Sequence, residues 1–186
     1  MVSRIGFVWV LLVCLGCLPS VENEITEEQQ RFDLAEFARS QARELQNQAP
    51  SAVKRVKLGI NEETVNMGAS TQWEKELSLF IQASPKKSLL VTNYQVTEEQ
   101  RNDVSITRYQ ANQKAARMQF MELHHQNGEL IAVKLKEKEV TLLFDNEKEM
   151  YLELADGLCR YIYVSGVQKM IFQKGLAYEV EIAVNR

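Results

Sequence analysis

The sequence predicts an α+β fold, with N-terminal helices followed by a curved antiparallel β-meander of about eight strands and one helix covering the sheet's apolar face. Three observations predict it. Two segments before Pro85 carry apolar residues at helical spacing. After Pro85 almost every segment alternates apolar and polar residues with a period of two. The links between those segments are short, which suits hairpins and leaves no room for the crossover connections of a parallel sheet.

The first helix is expected from Thr26, which with Gln29 has the spacing of a capping box, and it carries Leu34, Ala38, Ala42, Leu45 and Ala49 on one stripe until Pro50 ends it. Such a stripe normally faces a core, its rarer use being to dock a partner. Val56, Leu58 and Ile60 alternate with Lys57 and Gly59 as a short strand, and Asn61 and Glu62 are expected to turn it into a second through Val65 and Met67. Thr71 and Glu74 form another capping box. Behind it Trp73, Leu77, Phe80 and Ile81 make the strongest helical face of the chain, ending before Pro85. This helix is the expected cover. Trp73, Leu77 and Phe80 are a core face or, if the sheet is hollow, a face for a hydrophobic ligand.

Strands are expected near Ser88 to Thr97, Val104 to Ala111, Arg117 to His125, Leu130 to Lys136, Val140 to Phe144, Met150 to Leu154, Leu158 to Phe172 and Tyr178 to Val184. Asn127–Gly128 and Asp156–Gly157 are dipeptides favoured in two-residue hairpins. Gly166 suggests a bulge or break in the seventh segment, and Lys174–Gly175 a further turn. The inward faces read Ile131, Val133, Leu135; Val140, Leu142, Phe144; Met150, Leu152, Leu154; Ile162, Val164; and Val180, Ile182, Val184. Their alternates, among them Lys134, Lys136, Glu153, Glu179 and Glu181, leave the other face wet.

The chain opens with Arg4 as its one early positive charge and then runs uncharged from Ile5 to Leu15. That is the order of a secretory signal, and its length falls well short of the roughly 20 residues of a permanent membrane helix. Leu15, Gly16 and Cys17 close the run with a small residue before a cysteine. This resembles the lipobox of type II signal peptides, although Cys14 stands where that family prefers Leu. The resemblance implies cleavage before Cys17, lipidation of its thiol, usually acylation of the new amine, and anchorage to a membrane. Residues 1–16 are then the removed signal, 17–25 the lipidated cysteine and tether, and 26–186 one α+β domain. Leu18, where lipoproteins retained in the inner membrane often carry Asp, points to the outer membrane, on either its periplasmic or its surface face.

Loss of Arg4 turns 22 Lys and Arg into 21 against 25 Asp and Glu, a formal balance of −4 for the mature chain. A nucleic-acid partner is not expected, since phosphate binding rests on clustered basic residues. With Cys14 removed and Cys17 lipidated, Cys159 is left without a disulfide partner and reads as a packing residue rather than a reactive thiol. His124 and His125 are adjacent and on a strand point to opposite faces, which disfavours a shared metal. No phosphate-cradling Gly-rich loop, GxSxG elbow or HExxH motif occurs, and no cofactor or enzymatic activity is expected. Lys134, Lys136 and Lys138 form a row suited either to an anionic head group or to keeping a sheet edge from aggregating.

Two roles follow. One is a non-catalytic envelope lipoprotein with a protein partner or assembly surface. The alternative is a module that binds or carries a lipid or other hydrophobic ligand; in element order the chain is similar to envelope carriers that pair a half-barrel sheet with helices. The Trp73, Glu74, Lys75, Glu76, Leu77 to Phe80 segment, Tyr94, and the Tyr161 to Tyr178 region are also similar to small uncharacterised lipoproteins of diderm bacteria. That resemblance implies the same anchor and fold and carries no site residues.

Overall fold

A computed structural model describes residues 32–85, 93–172 and 174–185. The proposed signal, Cys17, the tether and the Thr26–Gln29 capping box lie outside these residues. Helix α1 (Leu34–Gln48) has Asp33 as its N-cap, whose side chain accepts a hydrogen bond from the Glu36 amide at 3.0 Å. Ala49 closes it in the left-handed conformation, its N–H bonded to the Leu45 carbonyl. The next elements are β1 (Ala52–Leu58), β2 (Asn61–Met67), α2 (Trp73–Glu76) and α3 (Ser78–Ala83). Seven strands follow: β3 (Tyr94–Arg101), β4 (Val104–Ala111), β5 (Met118–Gln126), β6 (Glu129–Val140), β7 (Phe144–Ala155), β8 (Leu158–Met170) and β9 (Leu176–Val184).

The nine strands among the described residues form one open antiparallel sheet, ordered β2-β1-β9-β8-β7-β6-β5-β4-β3. The early hairpin therefore joins the meander through β1 and β9, with Ala52 opposite Val184 and Leu58 opposite Tyr178. Asn127–Gly128 and Asp156–Gly157 are turns in which both residues have positive φ, as their composition predicts.

Several expectations are corrected. Val140 to Phe144 is not a strand: Thr141–Leu143 turn the chain between two longer strands, and the Thr141 hydroxyl accepts from the amides of Leu143 and Phe144. Thr141 closes locally what alternation alone reads as a strand. Val140 and Leu142, read as inward, are exposed, and Phe144 is half-buried. The β1–β2 turn is Gly59–Ile60 rather than Asn61–Glu62, because Gly59 takes the required φ of +60°. Thr71 does not cap the Trp73 helix; Gln72 is its N-cap without a side-chain bond, and Leu77 divides it into α2 and α3. Strand β8 runs unbroken through Gly166, while register shifts fall at Met118/Phe120 and His124/His125 in β5 and at Glu153/Leu154 in β7.

The inner face of the sheet and the three helices share one core. Leu34, Ala38, Ala42 and Leu45 of α1, together with Trp73, Leu77 and Phe80, join Tyr109, Met121, Leu135, Met150, Leu152, Ile162 and Ile182. Helix α1 packs on β8 and on both short helices. Lys54 of β1 ties α2 to the sheet through Glu76 at 2.6 Å.

A polar clamp fixes α1 on the β7–β8 hairpin. The buried Gln41 amide donates to the Gly157 carbonyl at 3.0 Å, and its oxygen accepts from the Cys159 amide at 2.8 Å. Gln41→Leu leaves both backbone groups without these partners. It is expected to lower stability by about 1–3 kcal/mol, read as a lower urea midpoint with an unchanged slope.

Candidate functional site

Trp73, Leu77 and Phe80 are each at most 1% exposed and belong to the core cluster. Their rings and methyl groups pack where helices meet sheet. Cys159 is also in this core, and burial pushes its thiol up to about 12, which keeps it from forming a reactive thiolate near neutral pH. His124 Nε2 lies 3.3 Å from Glu122 Oε2, whereas burial, opposed by Glu98, lowers the His125 pKa. Among the described residues no group of three or more His, Cys, Asp or Glu side chains is gathered to hold a metal ion.

The other sheet face is built by the same alternation, and register aligns its side chains in cross-strand rows. One row runs Arg108, Glu122, Lys134, Tyr151, Tyr163, Glu181, Arg55 from β4 to β1. Arg108 pairs with Glu122, and Arg55 lies 3.1 Å from Glu181. Opposite charges thus stand on neighbouring strands, the arrangement that stabilises cross-strand pairs. Tyr161 and Tyr163 stack with centroids 6.5 Å apart, and Tyr151 adds a tilted ring 6.4 Å from Tyr161. The Tyr161 hydroxyl donates to Glu181 at 3.1 Å; burial first, then that bond, push its pKa up to about 12. Arg108 and Lys134 sit 4.4 and 5.9 Å from the centre of the Phe120 ring.

Towards the β6–β7 and β8–β9 turns this face dips into a cleft of about 530 Å³. Glu147 and Glu149 of β7, Ser165 and Lys169 of β8, and Ala177 and Glu179 of β9 are among its lining. Lys136 reaches Glu147 at 2.5 Å and Glu149 at 3.6 Å, and Lys138 reaches Glu147 at 3.9 Å. The hydrogen bond lowers the Glu147 pKa and raises that of Lys136, so both stay charged at neutral pH. The lysine row is thus internal to the sheet, since β6 lies between β5 and β7, and two of its members neutralise carboxylates of the next strand. Chemically, the face presents fixed charges of both signs beside aromatic rings.

No family model matches the chain, and no curated protein matches it.

One group escaped the sequence reading. Glu137 and Lys148, at alternating charged positions, lie on the inner face, 1% and 8% exposed. They are cross-strand partners, with Lys148 Nζ 2.8 Å from Glu137 Oε2 and Arg117 Nε 3.1 Å from Oε1. The signal is that Glu137 follows Val133 and Leu135, and Lys148 precedes Met150 and Leu152, in the apolar alternation. Burial first, and the Glu137 charge second, raise the Tyr94 phenol pKa, while the Tyr94 hydroxyl donates to the Met118 carbonyl at 3.0 Å.

Gly166 continues this row, between Lys148 and Tyr178. A Cβ there would lie 2.5 Å from the Tyr178 hydroxyl oxygen and 2.7 Å from the Glu147 carbonyl oxygen. The glycine is required by close approach, not by a bulge. Gly166→Ala is expected to cost about 1–3 kcal/mol in thermal or urea unfolding. Adding Tyr178→Leu should recover only part of that, because the Glu147 backbone remains in the way.

Proposed function

We propose that the protein is a lipid-anchored envelope lipoprotein of the outer membrane with a non-catalytic interaction or assembly role. The observation that carries the reading is the division of the sheet: its inner face is packed by helices, and its outer face offers a charged and tyrosine-rich surface. Such a surface suits a protein partner, since tyrosine supplies contact area at low entropic cost and paired charges select for complementarity. The signal-like start and Cys17 supply the anchor, with up to three acyl chains holding the domain at the bilayer. The described residues contain no helix long and apolar enough to cross a membrane.

The experiment is metabolic labelling with an alkyne fatty acid, followed by purification in mild detergent. The wild-type chain is expected to take up label and to bring a partner with it. Cys17→Ser is expected to remain unlabelled, and Tyr161→Ser with Tyr163→Ser to stay labelled and lose the partner. Label persisting in Cys17→Ser overturns the anchor; recovery only as a free monomer overturns the interaction role.

A further inference from the structure

Three neighbouring hairpins end at the same edge of the sheet. The Leu143 carbonyl of the β6–β7 turn accepts from the Ile171 amide of the β8–β9 turn at 2.9 Å. The Gly59 amide of the β1–β2 turn donates to the Ala177 carbonyl at 2.9 Å. These bonds join the turns into one tip. With six adjacent strands, β2-β1-β9-β8-β7-β6, at their usual spacing, it spans about 24 Å.

The composition of this tip departs from what turns require. Turns are ordinarily built from Gly, Asn, Asp, Ser and Pro. At the opposite end of the same sheet they are Asn102–Asp103, Asn127–Gly128 and Asp156–Gly157. At the tip they are Gly59–Ile60, Thr141–Leu142–Leu143 and a turn beginning Ile171–Phe172. Ile60, Leu142 and Phe172 are 99%, 93% and 100% exposed. Of the eleven exposed large hydrophobic residues among those described, ten lie in segments 58–60, 140–143 and 167–176, Val65 being the exception. Apolar side chains concentrated this way mark a contact surface.

Phe172 adds a second cost. Its φ is +60°, a region that Asn102, Asn127 and Asp156 occupy readily and a bulky aromatic does not. Glycine would relieve the strain. Fully exposed, Phe172 gains no packing within the described residues that would offset this cost.

We infer that this three-hairpin tip dips into the head-group and acyl boundary of a lipid bilayer, a membrane contact separate from any lipid on Cys17. The shape favours a bilayer over a protein. The apolar residues stand out at turn ends, and a fluid surface receives separate fingers without matched pockets. Charge agrees with it at the β8–β9 turn, where segment 167–176 contains two exposed lysines, Lys169 and Lys174, and no carboxylate, while the β1–β2 and β6–β7 turns have Glu62 and Asp145 close by. Lysines beside inserted apolar groups meet anionic head groups. Each Leu or Phe side chain fully removed from water contributes about a tenfold factor or more in partition.

The test uses the full chain in vesicles of phosphatidylethanolamine and phosphatidylglycerol, spin-labelled one site at a time at Leu142→Cys, Ile60→Cys or, at the opposite end, Glu129→Cys. Cys14→Ser and Cys17→Ser are included in every labelled chain so that the introduced cysteine alone takes the label, and buried Cys159 does not compete. At positions 142 and 60, collisions with oxygen are expected to exceed those with a water-soluble nickel complex; at 129 the order should reverse. Phe172→Gly in the Leu142→Cys background should keep or raise the unfolding midpoint while moving the label toward water. Equal aqueous access at both ends overturns the inference, as does a depth at 142 indifferent to Phe172→Gly. A label at 142 already immobilised without vesicles assigns the tip to a second copy of the chain and also overturns it. Fatty-acid labelling of Cys17 reads the anchor independently, so either reading can fail alone.

Discussion

Lys148→Ala is expected to destabilise the folded protein by about 3–5 kcal/mol, because it leaves the Glu137 carboxylate buried without its nearest cation. For a domain of this size that corresponds to a melting temperature lower by about 6–20 °C. Arg117 does not compensate. Its side chain is half exposed and lies on the other carboxylate oxygen, so its field is partly screened. Neither Glu137 oxygen closes a well-aligned hydrogen bond with a described residue, which makes the pairing one of charge rather than directed bonds. Such pairs repay little of their desolvation. Glu137→Leu combined with Lys148→Leu is therefore expected to lie within about 1 kcal/mol of the parent, or above it. Thermal unfolding of both variants decides the matter: a double variant as unstable as Lys148→Ala would show that the pair is needed for more than mutual neutralisation.

Trp73→Ala carries the second large effect, about 3–5 kcal/mol in urea or thermal unfolding. The side chain is 1% exposed, and its backbone amide lies 3.4 Å from Gln46 Oε1 of α1. Helix α2 has only four residues and no side-chain cap, so it holds its place through this packing rather than through intrinsic helicity. Truncation removes the ring from the junction of α1, α2 and the sheet, and four residues of helix cannot refill the space. Trp73→Phe retains much of the apolar volume and is expected to lose less than half as much. A loss below about 1 kcal/mol for Trp73→Ala would mean that α2 and α3 are not integral to the core.

The local parts of the fold were legible. Period-two alternation located β4 to its ends and β5 and β8 to within two residues, and Asn127–Gly128 and Asp156–Gly157 marked two turns, because both signals depend only on neighbouring residues. Val140 to Phe144 misled for the same reason: its alternation is real, yet Thr141 folds it into a turn whose apolar residues face outward. Gly166 stands out in the sequence as a break in a strand pattern, yet its cause is not local: the Tyr178 ring that crowds it is twelve residues away on the next strand.

By itself, then, the sequence determined the strand-forming segments, the antiparallel hairpins and the apolar stripes of α1 and of the Trp73 segment, all of which follow from side-chain periodicity and turn chemistry. Only the tertiary structure decided that β1 docks on β9, that Glu137 and Lys148 meet inside the core, that the tyrosines and charges form cross-strand rows, and that three apolar turns share one tip. Each of these depends on register between segments distant in the chain. A one-residue shift of pairing exchanges the two faces of a strand, so which side chains meet follows from the assembled sheet rather than from any single segment.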